Sequence, residues 1–215
     1  MSSERKPRHI FLILCIVTIG TIMVFTVLRW LPVSFGARGQ QEMKYQNLET
    51  KNPVLNFSFE YPETGWFPVE STGRMEKYDM VYLRGPSNEK NGFTTIIDVT
   101  VRPLESGQTP RSLLGKYQKI DSNQNKFNIL HEKNITVGGE RAVFGFCEYE
   151  TPPIYRAMEP AVLLKKRMVF LIRNDQSYGI TMLTLASEDE KYTSTFERVL
   201  KTFQFKNDAQ SSKLA

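Results

Sequence analysis

A chain of 215 residues with 40% apolar and 24% charged side chains has the make-up of a globular protein, which excludes wholesale disorder and a multi-span transporter. The net charge of +5 gathers ahead of residue 50: residues 1–49 carry 6 Lys+Arg against 3 Asp+Glu, leaving 22 against 20 for the rest. The pI of about 9.1 therefore does not describe a nucleic-acid-binding face, and the two cysteines, Cys15 in a hydrophobic run and Cys147 far downstream, exclude a disulfide-stapled domain.

The hydrophobic run comes first. Ile10 to Leu28 is a stretch of 19 residues without a charge. At about 1.5 Å per residue a helix of this length reaches about 28 Å, close to the roughly 30 Å hydrocarbon core of a bilayer. Arg5, Lys6 and Arg8 precede it, Arg29 and Trp30 follow it as interfacial anchors, and Pro32 stops the helix. The pattern predicts a basic cytoplasmic N-terminus over 1–9, a transmembrane signal-anchor helix over 10–31 in contact with membrane lipid, and a polar juxtamembrane linker over 32–52. The following domain is then expected on the extracytoplasmic side of a cell membrane. A cleaved signal peptide is the competing reading, with Ser34 and Gly36 as small residues for processing, but signal h-regions usually span about 7–15 residues.

The folded domain is expected over 53–206. Leu55, Phe57, Phe59 and Tyr61 alternate with Asn56, Ser58 and Glu60, the period of two that buries one side of a strand, and Pro62 ends it before a turn at Gly65-Trp66. Tyr78–Arg84, closed by Gly85-Pro86, and Thr95–Arg102, in which Ile97, Val99 and Val101 oppose Asp98, Thr100 and Arg102, are two further strands. Thr109-Pro110 is an N-cap followed by proline at the first helical position, and Leu113, Leu114, Tyr117 and Ile120 continue it as a helix of about three turns. Two apolar-alternating runs, 127–137 and 140–150, flank Gly138-Gly139, a hairpin signal because such turns need positive φ. A second hairpin joins Leu163–Arg173 to Tyr178–Ala186 through Asn174-Asp175-Gln176-Ser177. Ser187 with Glu190 reads as a capping box ahead of a helix whose apolar stripe is Tyr192, Phe196, Val199 and Leu200. Phe203 and Phe205 close the domain, and 207–215 forms a flexible tail.

About seven strands with one helix in the middle and one near the end predict an α+β fold, an antiparallel sheet flanked by helices. No G-x-G-x-x-G or G-x-x-x-x-G-K run supports a nucleotide-binding fold. The succession of F-S-F-E-Y-P with Trp66 after it, the I-T-V-G-G-E-R-A hairpin, Y-G-I-T-M-L-T-L-A and the closing F-E-R-V-L-K-T-F-Q-F resembles the PsbP-like family over Val54–Phe205. The resemblance implies a central antiparallel sheet flanked by helices, an extracytoplasmic location, and an accessory or assembly role that binds other proteins without known catalysis. The chain departs from that family in its intact hydrophobic anchor, where members often begin with a cleaved or lipidated signal.

Several side chains invite sharper readings. His131 with Cys147, Glu148 and Glu150 suggests a metal site, but a two-residue Gly138-Gly139 turn sets His131 opposite Phe146 and turns Cys147 to the other side of the sheet. A nucleophilic Cys147 lacks a base, since His131 is the only imidazole of the domain, and there is no G-x-S-x-G. Lys165-Lys166-Arg167 beside Arg173 suits phosphate or an acidic partner, or deters pairing at a strand edge. Tyr61, Trp66 and Phe67 form either an aromatic patch for a partner or part of the core. We assign no catalytic, cofactor or metal residues from the sequence. The expected function is a non-catalytic accessory, scaffold or assembly factor with a protein partner and no nucleic acid. The alternatives are a carrier of a small apolar ligand in a cavity of about 300 Å³ or more, or an enzyme whose carboxylates Asp98, Glu148 and Glu150 converge only in three dimensions.

Overall fold

The structure, a computed structural model, describes residues 43–73, 78–151 and 161–206. The expected basic N-terminus 1–9, transmembrane helix 10–31 and flexible tail 207–215 lie outside the described residues. Among the described residues no helix is long and apolar enough to cross a membrane.

The aromatic run does not enter the main sheet. It breaks into β2 (Phe57–Ser58) and β3 (Glu60–Pro62); β3 pairs antiparallel with β1 (Tyr45–Asn47), and β2 with β11 (Gln204–Phe205). The alternation still predicted burial correctly, for Leu55, Phe57, Phe59 and Tyr61 are all buried. These side chains roof the sheet rather than extend it. The fold also begins earlier than the expected 32–52 linker allows, because β1 lies inside that stretch and Leu48 is only 2% exposed.

Seven antiparallel strands form the main sheet in the order β4-β5-β6-β10-β9-β8-β7. They are β4 (Phe67–Gly73), β5 (Tyr78–Ser87), β6 (Thr94–Pro103), β7 (Asn125–Val137), β8 (Glu140–Thr151), β9 (Val162–Arg173) and β10 (Gln176–Leu185). Strand β4, which carries polar residues and little alternation, was not legible and sits at an edge. Both hairpins turn tightly on residues with positive φ, Gly138-Gly139 (58° and 84°) and Asn174-Asp175 (48° and 56°). The second is two residues shorter than expected, since Gln176 already pairs with Arg173.

Helix α1 (Pro110–Asp121) starts as predicted: Thr109 Oγ1 accepts from Ser112 N–H, and Ser112 Oγ accepts from Thr109 N–H, a reciprocal cap. Helix α2 (Asp189–Thr202) does not use the expected Ser187–Glu190 box. A 3-10 turn over Ala186–Glu188 takes up Ser187, so its hydroxyl no longer stands at the cap position, and no side chain caps the helix.

The two helices lie on opposite faces of the sheet. On one face Tyr192, Phe196 and Val199 of α2 join Val81, Val99, Val169 and Ile180 in the larger core, roofed by Phe57, Phe59, Trp66 and Phe203. Each fully buried aromatic or aliphatic side chain there contributes about 1.5–3 kcal/mol. On the other face Leu113 and Leu114 of α1 pack with Val143, Cys147, Met168 and Phe170. Gly145 permits this approach: a Cβ there would stand 2.5 Å from Leu114 Cδ1.

Candidate functional site

The most conspicuous charged motif, Lys165-Lys166-Arg167, turns out to be structural. It lies in β9, between β10 and β8 in the sheet interior, so it does not guard an edge. Successive side chains of a strand point to opposite faces, and this strand uses both. Lys166 Nζ reaches Asp121, the last residue of α1, at 2.9 Å. On the opposite face Arg167 Nη2 reaches Asp189, the first residue of α2, at 2.6 Å, and Lys165 Nζ stands 3.7 Å from the same carboxylate. The Arg167 guanidinium also lies 4.0 Å from the Phe146 ring centroid. Arg173 is engaged as well, with Glu140 at 3.3 Å.

The three candidate carboxylates do not converge. Cross-strand pairing runs Asp98–Thr181–Met168–Gly145, which puts Asp98 on the α1 face. Glu148 and Glu150 alternate with Cys147 onto the α2 face, where Glu150 accepts from Lys126 Nζ at 2.6 Å. Asp98 is half-buried, accepts from Thr181 Oγ1, and has its carboxyl raised to about 6, burial outweighing that bond and the fields of Lys166 and Arg102. His131 pairs with Phe146, as the turn geometry predicts, while Cys147 points to the other face and stands across from Ile129. The Cys147 thiol is fully buried and pushed up to about 12 by burial, reinforced by Asp121, which is the opposite of activation.

What the structure leaves open is half of the α1 face. Helix α1 lies across β8 and β9, and no helix of the described residues covers β4, β5 and β6 on that side. The register brings Phe67 opposite Arg84, Val69 opposite Tyr82, and Tyr82 opposite Asp98. Phe67 is 65% and Val69 38% exposed, and Met80, Tyr82 and Ile96 are half-buried beside them. Of the three aromatic residues at the end of the first run, Tyr61 and Trp66 belong to the core and only Phe67 is offered to solvent. Sequence reasoning reached only Phe67 of this surface, as part of a possible aromatic patch, and missed Val69, Met80 and Tyr82 because β4 gave no periodic signal.

Between α1 and the adjoining part of β6 and β10 lies a cleft of about 330 Å³. Leu113, Lys116 and Tyr117 of the helix form one wall, and Thr100, Phe170 and Gly179 the floor. The Tyr117 and Phe170 rings are 4.9 Å apart. Arg102 closes one end, its guanidinium carbon 4.5 Å from the Tyr78 ring centroid and its Nε buried without an acceptor. A second, shallower cavity of about 520 Å³ opens beside the start of α1, against Thr136, Arg141 and Val143.

No family model matches the chain, and no curated protein matches it either. Solved structures do. The solution structure of cyanobacterial PsbP (CyanoP) from Synechocystis sp. PCC 6803 is 12% identical, with a TM-score of 0.52 over 78% of this chain and 95% of that one. LpqN of Mycobacterium tuberculosis, involved in cell envelope biogenesis, is 10% identical, with a TM-score of 0.54 over 77% of this chain and 92% of that one. At these identities the likeness is one of architecture: seven antiparallel strands between two helices give this chain the PsbP-like fold.

Proposed function

We propose that this chain is a membrane-anchored accessory or scaffold protein: residues 10–31 hold it in a bilayer, and its PsbP-like domain docks a protein partner on the extracytoplasmic side through the open half of the α1 face. The observation that carries this reading is the surface of Phe67 and Val69 beside Tyr82 and Met80, apolar side chains left exposed or half-exposed on a face whose other half is sealed by a helix. Aromatic and methionine side chains with an arginine at the margin, here Arg84, are the composition enriched in protein interfaces. The uncharged run Ile10–Leu28 supports the anchor. That LpqN is involved in cell envelope biogenesis accords with work at a membrane surface.

The test places a photo-crosslinking residue at Val69 in the full-length chain in its native membrane. A control carries the same residue at Glu197, exposed on α2. The expected outcome is one reproducible membrane-protein partner captured from position 69, absent from position 197 and lost when Phe67→Asp is added. Equal capture at both positions, or none at 69, refutes the docking face.

A further inference from the structure

We propose that the cleft between α1, β6 and β10 is a binding site for a small organic monoanion with a flat apolar body, an aryl carboxylate in class. Its volume of about 330 Å³ lies within the range of small-molecule sites, roughly 300–1,000 Å³. The lining divides into two parts. Leu113, Tyr117 and Phe170 make an apolar wall with two rings already in contact at 4.9 Å, suited to the face of an aromatic body.

Arg102 and Lys116 supply the other part. Neither forms an ion pair with any described residue, whereas Lys165, Lys166, Arg167 and Arg173 of β9 are all paired. Arg102 Nε is covered, so a carboxylate in the cleft meets the guanidinium through its Nη groups, which match the carboxylate's two oxygens.

The acidic groups nearby set the ligand's charge. Glu105 at the rim already accepts from Gln108 Nε2 at 2.7 Å, and Asp98, two residues along β6 from Thr100, accepts from Thr181. Two cations against Glu105 leave the lining at a net +1, which balances a monoanion and disfavours cations. The floor is fixed by packing: a Cβ on Gly179 would stand 2.9 Å from Thr100 Oγ1 and 3.1 Å from Phe170 Cε1. The cleft adjoins the open face where Met80 stands across from Thr100, but its lining shares no residue with Phe67, Val69, Met80 and Tyr82, so its failure and that of the docking surface are distinguishable by substitution.

The experiment uses the full chain in lipid nanodiscs, with empty discs as the reference, and titrates 2-naphthoate and its neutral counterpart 2-naphthylmethanol by calorimetry. Naphthoate is expected to bind saturably at one per chain and at least about tenfold more tightly than the alcohol. Arg102→Gln is expected to weaken naphthoate about tenfold or more while leaving the alcohol unchanged, and Lys116→Gln to weaken it severalfold. Equal binding of acid and alcohol, binding no greater than to empty discs, or an Arg102→Gln variant that binds as the wild type each overturns the proposal. Should Arg102→Gln fail to fold, Lys116→Glu on the exposed side of α1 takes its place. Unchanged naphthoate binding by that variant is then the overturning result.

Discussion

Asp98→Asn should remove a pH dependence built into the sheet. Asp98 is half-buried on β6, and its carboxyl is raised from 3.8 to about 6, chiefly by burial. The sign follows from proton linkage. Between pH 4 and 6 the folded state holds a proton that the unfolded chain has released, so stability falls as pH rises through that window and stays low above it. Each tenfold change in proton affinity is worth about 1.4 kcal/mol, which sets a ceiling of about 3 kcal/mol, and partial exposure brings the expectation to about 2 kcal/mol. The Asn variant keeps the shape and can still bond Thr181 without titrating. Urea unfolding can be followed through Trp66, which is 4% exposed and edge-on to Tyr192, in a Trp30→Phe background. The stability of the wild type minus that of Asp98→Asn should decline by about 2 kcal/mol from pH 4 to pH 7. A flat difference, or one that grows with pH, refutes the reasoning, because it would mean that the fields of Lys166 and Arg102 cancel or outweigh desolvation.

Three further outcomes are expected. Gly145→Ala places a methyl where Leu114 Cδ1 stands 2.5 Å away, so it should destabilise by about 1–3 kcal/mol, and hydrogen exchange should report the loss in α1 more than in α2. Lys166→Met leaves the Asp121 carboxylate, 6% exposed, without its cation and should cost about 3–5 kcal/mol, whereas Lys166→Met with Asp121→Leu should recover most of it in a double-mutant cycle. Cys147, fully buried with its thiol pushed up to about 12, should resist maleimide in the native protein at pH 7 and react only on unfolding; rapid native labelling would show that α1 lifts from the sheet.

The legible parts of the fold were those where one physical signal acts alone. The Gly138-Gly139 turn fixed the pairing of His131 with Phe146 seven residues away, because backbone geometry at positive φ leaves few alternatives. The start of α1 was legible from Thr109-Pro110 for the same reason. Where two arrangements bury the same side chains, periodicity could not choose: Leu55 to Tyr61 are as buried in a roof as they would be in a sheet. Edge strand β4 carries Pro68, Glu70 and Ser71 with little to bury, so it gave no pattern, and of the surface it bears the sequence offered only Phe67, as part of a possible aromatic patch. The cleft beside α1 was illegible for a different reason, since its residues come from β6, α1, β9 and β10 and meet only through the register of the sheet.

The basic triad shows why charge in a sequence is a poor guide until its partners are known. Lys165, Lys166 and Arg167 looked like the surface most ready for an acidic partner, yet all three are turned inward, one to the end of α1 and two to the start of α2. Opposite charges at these helix ends are not interchangeable. Asp189 at the start of α2 is favoured by the helix dipole, whereas Asp121 at the end of α1 is opposed by it, so the α1 anchor leans more heavily on its lysine. That asymmetry bears on the cleft. The segment of α1 that walls it, Leu113 to Tyr117, lies between the reciprocal Thr109–Ser112 cap and the Lys166–Asp121 pair, and loosening the second fixture would move one wall and not the floor. Arg102 and Lys116, which hold neither helix end in place, are the cations that line the cleft and the ones a ligand there would engage.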